Sequence, residues 1–157
     1  MTTFSTPSDR ELAATRVFQA PREAVFEAWT RPAAITSWML GPDGWSMPVC
    51  DVDLRPGGAW HFEWRGPDGR QLGMDGVYRD VSPPGRLVFT EAWGGDWPQT
   101  LNTIVLAEED GGTRLTYTVE FVSTEARAAA FSTGMSQGMT QSLERLAAHL
   151  AATRPER

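Results

Sequence analysis

The chain has 157 residues, 41% hydrophobic and 22% charged, which is the length and composition of one ordinary globular domain. Its net charge of -6 disfavours binding to nucleic acid or to an anionic membrane, because both partners need a basic surface. A single cysteine, Cys50, excludes an intrachain disulfide, and no segment resembles a signal peptide or a membrane span, so we expect a cytoplasmic protein without membrane insertion.

The N-terminal part of the chain predicts one strand followed by two short helices. Apolar and polar residues alternate over 12–19, which is typical of a strand. Pro21 suits the first turn of a helix, and Val25 and Trp29 lie four residues apart, on one helical face. Pro32 interrupts this helix and begins a second one.

The middle of the chain predicts an antiparallel meander. Turn segments rich in Gly, Pro and Asp recur at short intervals, and the stretches between them have the length and alternation of strands. The predicted strands cover residues 45–54, 59–65, 71–81, 87–93, 99–108 and 113–122. Together with the first strand they make a sheet of seven.

Residues 124–152 predict mainly helix, with Ser123 or Thr124 as the N-cap. Gly134 and Gly138 disfavour a helix interior, and they indicate either a bend or a break between two helices. Both alternatives stay open. One face of this segment is apolar at spacings of 4, 4, 4, 3 and 4, and it should pack on the sheet; it consists of Phe131, Met135, Met139, Leu143, Leu146 and Leu150.

The motifs of common catalytic and metal sites are weak or missing. Residues 134–138 match the Gly-x-Ser-x-Gly nucleophile elbow, but no strand precedes Ser136, and His149 lies about 20 Å further along the helix. Pairs of ligands that share a strand face, such as His61 and Glu63, are too few for a metal site. We therefore predict no metal and no cofactor, since no phosphate-binding glycine motif occurs.

Three predicted strands have inner faces rich in large side chains. The rows are Trp60, Phe62 and Trp64; Leu87, Phe89, Glu91 and Trp93; and Leu115, Tyr117, Val119 and Phe121. The facing helix offers Gly, Ala and Met instead of matching bulk, so a curved sheet that closes on it could leave an apolar cavity. The alternative, that the rings fill this space as ordinary core, stays open.

Candidate cavity residues come from these rows and from neighbouring elements: Trp38, Trp60, Phe62, Trp64, Met74, Tyr78, Phe89, Glu91, Trp93, Asn102, Ile104, Tyr117, Phe121, Phe131, Met135 and Met139. Glu91 is also a weak candidate for a general acid or base, because burial without a cation would raise its pKa. Arg16 is in register with Phe18 on the first strand. If Arg16 pairs with Glu91, the two residues are structural.

Several segments in their order resemble one family. They are RVFQAPR (16–22), EAWT (27–30), DLRPGGAW (53–60), PDG (67–69), GVY (76–78), PGRLVFT (84–90), GTRLT (112–116), GMSQG (134–138) and SLERL (142–146). Over residues 10–152 the chain resembles the SRPBCC (START-like) superfamily, in the branch of the activator of heat-shock-protein-90 ATPase homologues. One departure is Leu40, where this branch often has a second tryptophan before Gly-Pro.

The resemblance implies an α+β helix-grip fold: a curved antiparallel sheet around a long C-terminal helix, with two short helices after the first strand and a ligand cavity between. We expect one domain over 1–157, with a core at 10–152 and flexible segments at 1–9 and 153–157.

Because this superfamily hosts many functions, three hypotheses remain. The first is binding of a small hydrophobic or aromatic ligand, the second a polyketide cyclase or dehydratase that uses Glu91, Tyr78 or Tyr117, and the third a co-chaperone-like module. A homodimer also stays open, and a chaperone partner has the least support.

Overall fold

In the computed structural model, which describes residues 1–40, 43–93 and 98–153, strands and helices follow the predicted order. The strands are β1 (Thr3–Ser5), β2 (Glu11–Phe18), β3 (Ser46–Val52), β4 (Ala59–Arg65), β5 (Gln71–Ser82), β6 (Arg86–Glu91), β7 (Thr100–Glu109) and β8 (Gly112–Glu120). The helices are α1 (Arg22–Thr30), α2 (Pro32–Trp38), α3 (Thr124–Ser132) and α4 (Met135–Ala152).

The strands form one antiparallel sheet in the order β1-β2-β8-β7-β6-β5-β4-β3. The meander from β3 to β8 and the α+β class are confirmed, while the predicted count of seven strands is one too low. The additional strand, β1, lies in the segment expected to be flexible and pairs Thr3 with Thr15. Its three exposed residues are too few to show an alternation in the sequence. It is a strand because it pairs with the edge of β2. At the other end, residues 154–157 lie outside the described residues.

The two short helices begin at the predicted prolines. Pro21 is the N-cap of α1, and Pro32 occupies the first turn of α2, where a missing N–H costs nothing. The indole Nε1 of Trp38 donates to the carbonyl oxygen of Ala28 at 2.8 Å. This buried bond holds the two helices in a fixed bend across one end of the sheet.

The C-terminal segment consists of two helices. Gly134 has a φ of +83°, a left-handed conformation in which a helix cannot continue, so α3 ends before it and α4 begins after it. The alternative of a break is therefore the right one. Ser123 caps α3, since its side chain accepts a hydrogen bond from the Ala126 N–H at 3.0 Å.

Most of the core lies between the inner face of the sheet and the helices α1, α2 and α4. Leu143, Leu146 and Leu150 are at most 6% exposed and belong to the same apolar cluster as inner-face residues of the sheet. A second, smaller cluster of Leu12, Val119 and Phe121 lies beneath α3. No helix in the described part of the chain has both the length and the apolar character needed to cross a membrane.

Candidate functional site

The inner face of the sheet and the helices enclose a cavity of about 800 Å³. Its floor comes from β4, β5, β6 and β8, and its roof from Trp29 of α1, from α3, and from Met135 to Leu143 of α4. The C-terminal half of α4 carries leucines that fill the core. The N-terminal half carries Gly138, Met139 and Ser142, which are too small or too mobile to fill the same space.

All but three of the predicted cavity residues line this space. The structure brings together Trp38, Trp60, Phe62, Trp64, Met74, Tyr78, Phe89, Glu91, Trp93, Tyr117, Phe121, Met135 and Met139. They come from six elements and two loops, so their proximity depends on the curvature of the sheet.

The three exceptions are Asn102, Ile104 and Phe131, which do not contact the cavity. Asn102 and Ile104 do face inward from β7, but they are 0% and 1% exposed because neighbouring side chains cover them completely. Phe131 belongs to α3, where the break at Gly134 rotates it away from the apolar face of α4. Its ring is 37% exposed and lies 5.8 Å from the guanidinium of Arg127.

Along β4 the aromatic rings pack on one another and leave space above them. The Trp60 and Phe62 ring centroids are 4.7 Å apart, and Phe62 meets Trp64 edge to face at 5.9 Å. Trp64 in turn stacks on Trp93 at 5.8 Å with an interplanar angle of 23°. The row therefore forms a continuous aromatic wall, and Trp93, which follows β6, extends it to the surface with 47% of its side chain exposed.

Among the described residues that line the cavity, which we call the cavity wall, Glu91 is the one acidic side chain. Its Oε1 accepts a hydrogen bond from the Trp93 indole Nε1 at 3.0 Å. Burial raises the pKa of the carboxyl to about 7, against the smaller opposing effect of that hydrogen bond. Arg16 does not neutralise it: the Arg16 guanidinium lies over the ring of Phe18, 5.6 Å from its centroid. A structural Arg16–Glu91 pair is therefore not formed.

The two tyrosines of the wall are polar groups that stay neutral. The Tyr117 hydroxyl donates to Oδ1 of Asn102 at 2.9 Å, and the Asn102 amide donates to Thr100 Oγ1 at 3.0 Å. Burial, and then the nearby Glu91 charge, raise the pKa of Tyr117 well above its ordinary value. Burial also raises the pKa of Tyr78. Asn102 thus acts from behind the wall, where it orients Tyr117.

Polar groups on the opposite face of the sheet take no part in the cavity. His61 alternates with the aromatic residues of β4, and its Nε2 lies 2.7 Å from Glu63 Oε2. In the described part of the chain, no three His, Cys, Asp or Glu side chains are placed to hold a metal ion. On the inner face of β3, Cys50 lies opposite Phe62; burial and the Asp51 charge raise the pKa of its thiol to about 11, so it stays protonated at neutral pH.

Comparison with known proteins identifies the family that has this fold. The family model described as Activator of Hsp90 ATPase homolog 1-like protein matches residues 19–151. The chain belongs to this family. No curated protein matches the chain.

Solved structures with the same fold come from several bacteria. A protein from Rhodobacter sphaeroides is 32% identical, with a TM-score of 0.89 over 98% of this chain and 100% of its own. A protein from Mycobacterium smegmatis is 26% identical, with a TM-score of 0.84 over all of both chains. An AHSA1-like protein from Aeromonas hydrophila, 22% identical, has a TM-score of 0.75 over 94% of this chain and 98% of its own, and shows the shared fold.

The cavity of this family member includes one important residue that the prediction missed. Trp29 of α1 meets Trp38 at 5.0 Å and Tyr117 at 5.5 Å, edge to face in both cases. Its buried Nε1 has no hydrogen-bond partner in the described part of the chain. The signal was present in the sequence, because the spacing from Val25 to Trp29 marks the inward face of α1.

The cavity wall also includes Leu40, the position at which this chain departs from the pattern common in this family branch. Leu40 stands where a second tryptophan is frequent, and it lines the cavity beside Met39. The carbonyl of Met39 accepts a hydrogen bond from the Trp64 indole Nε1 at 2.7 Å, which anchors this loop to the aromatic wall. Gly41 and Pro42, which follow, lie outside the described residues.

Proposed function

We propose that this protein binds a small hydrophobic or aromatic molecule in its internal cavity and does not transform it. The observation that carries the proposal is the cavity itself, because about 800 Å³ of space bounded mainly by aromatic and aliphatic side chains is within the range of ligand sites.

The composition of the wall supports reversible binding. Trp60 and Phe62 offer flat apolar surface, whereas Met135 and Met139 of α4 can adjust to the shape of a guest. Exposed residues at the rim, such as Leu72 and Val122, extend this apolar surface to the solvent. The proposed location remains the cytoplasm.

Titration with N-phenyl-1-naphthylamine, a neutral probe whose fluorescence rises in apolar surroundings, tests the proposal. We expect saturable binding to the wild-type protein and a loss of at least tenfold in affinity for Gly138→Phe. Gly138 lines the cavity at an exposed position, and a Cβ added there meets no heavy atom within 4 Å, so a ring fits there and should narrow the space open to the probe.

The matched control is Gln137→Phe, at the adjacent exposed position of α4. It adds the same ring to the same helix outside the cavity and should leave affinity unchanged. Absence of saturable binding to the wild-type protein, or an equal loss in both variants, would refute the proposal.

Glu91 and Tyr117 support a second candidate, a cyclase or dehydratase that uses the carboxyl as acid or base. A carboxyl with a pKa of about 7 exchanges protons readily at neutral pH, and Glu91 faces an apolar cavity that could hold a polyketide-like chain. Turnover of such a substrate should then disappear in Glu91→Gln while binding persists. Full turnover in this variant would remove Glu91 from the mechanism.

A further inference from the structure

The charge of the cavity wall is one-sided. Among its described residues Glu91 is the only one that can be charged at neutral pH, because the tyrosines keep their protons and no Lys, Arg or His lines the space. A negatively charged ligand group in the interior would therefore meet a carboxylate and no cation. Burying an unpaired charge in this way is strongly unfavourable.

The carboxyl of Glu91 also has spare capacity to accept hydrogen bonds. An ionised carboxylate offers about four acceptor sites, and the described part of the chain supplies one hydrogen bond, from the Trp93 indole at 3.0 Å. A ligand that donates hydrogen bonds would supply what the apolar wall cannot. The donor best matched to this half-buried carboxylate is a cationic one, since charge-assisted hydrogen bonds are about twice as strong as neutral ones.

Aromatic rings also lie near Glu91, and the Trp93 indole meets the carboxyl with its N–H edge. Trp93, which donates to Glu91, stacks on Trp64, and Tyr117 lies close enough for the Glu91 charge to raise its pKa. The faces of tryptophan and tyrosine rings attract cations through their quadrupoles, most strongly where water is excluded. An ammonium group near Glu91 would thus have both a counter-ion and aromatic neighbours.

We propose that the natural ligand is a hydrophobic amine: an apolar body that fills the cavity and a protonated nitrogen that Glu91 binds. This inference rests on the proposed function and narrows it to one ligand class. A long-chain carboxylate fits this place less well, because its head group would meet the Glu91 carboxyl and no cation among the described residues of the wall.

A series of three C10 probes with different head groups tests this inference. Calorimetric titration at pH 7.5, below the critical micelle concentrations, compares decylamine, decanol and decanoate. We expect decylamine to bind at least tenfold more tightly than decanol, and decanoate to bind most weakly. One charge-assisted hydrogen bond accounts for a factor of this order.

Glu91→Gln should reduce the affinity for decylamine about tenfold or more and leave the affinity for decanol within about threefold, which also shows that the variant retains its cavity. Glu144→Gln, on the exposed face of α4, is the matched control and should change neither value.

The outcomes separate this inference from the proposed function. If decylamine binds no more tightly than decanol or decanoate, or if its advantage persists in Glu91→Gln, the amine assignment is wrong while ligand binding stands. If none of the three probes binds and the naphthylamine probe also fails, the proposed function falls as well.

Discussion

At the scale of single residues, Glu91 combines a charged group with an apolar site. The lining around it consists mainly of rings and aliphatic chains, and among the described residues its hydrogen bond comes from Trp93. Desolvation outweighs that bond, so the folded protein holds the carboxyl proton up to a pKa of about 7, against the ordinary value of 4.5. This difference links folding to proton uptake.

The linkage predicts a pH-dependent stability. Between pH 4.5 and 7 the folded state binds more protons than the unfolded state, so the free energy of unfolding should fall as pH rises through this window. Glu91→Gln removes the effect. Relative to the wild type, the variant should gain about 2 kcal/mol between pH 5 and pH 8 in urea unfolding, a value reduced from the full shift because water can enter the cavity.

Glu144→Gln serves as the control, because it removes an exposed carboxylate of α4 and should keep the pH profile of the wild type. Tyr117, which lies near Glu91, and Tyr78, which lines the same cavity, have raised pKa values and do not titrate in this range. Parallel profiles for wild type and Glu91→Gln would show that the carboxyl is ionised in the folded protein.

At the scale of elements, two glycines four residues apart have opposite roles. Gly134 adopts a left-handed φ of +83° and separates α3 from α4, whereas Gly138 lies within α4 beside the cavity. Local sequence does not distinguish them, because both disfavour a continuous helix to the same extent. The distinction comes from how each helix packs: α4 must direct its leucines at the sheet, and α3 must cover the cluster around Leu12.

Alanine substitution should therefore change the free energy of unfolding in opposite directions at these two positions. Gly134→Ala should destabilise the protein by about 1–2 kcal/mol, because a Cβ is strained at positive φ. Gly138→Ala should stabilise it by up to about 1 kcal/mol, because its Cβ has open space and alanine favours a helix. Chemical unfolding measures both, and a stabilising Gly134→Ala would contradict the break between α3 and α4.

At the scale of the whole molecule, the elements around the cavity differ in how many of their residues are buried. The strands β7 and β8 pair along their full length and carry fully buried residues such as Ile104 and Leu115. The helix α3 has no buried residue, yet its Ala126 and Ala130 line the cavity. A helix without a fully buried residue thus covers the proposed binding site.

Hydrogen exchange should reveal this difference. We expect the amides of α3 to exchange at least a hundredfold faster than those at the centre of β7 and β8, since few buried contacts oppose local opening. Bound N-phenyl-1-naphthylamine should slow exchange in α3 and leave the centre of β8 unchanged. Equal protection of α3 and β8 in the free protein would contradict this prediction.

Prediction from sequence succeeded where the pattern is local and strong. The bounds of β4 match the predicted 59–65, because alternating aromatic and polar residues define a strand without reference to its neighbours. It failed for β1, whose three residues form a strand only because the edge of β2 is there to pair with. It also placed Phe131 on the inward face, because one helical period was extended across Gly134.

The sequence by itself determined the types of element, their order and which strand faces are aromatic, since these depend on alternation, proline and glycine over short distances. Only the tertiary structure decided that the space between these faces and α4 stays open, and that Glu91 enters it without Arg16. A cavity is the difference between the volume enclosed by distant elements and the volume of their side chains. Local sequence gives the second quantity but not the first.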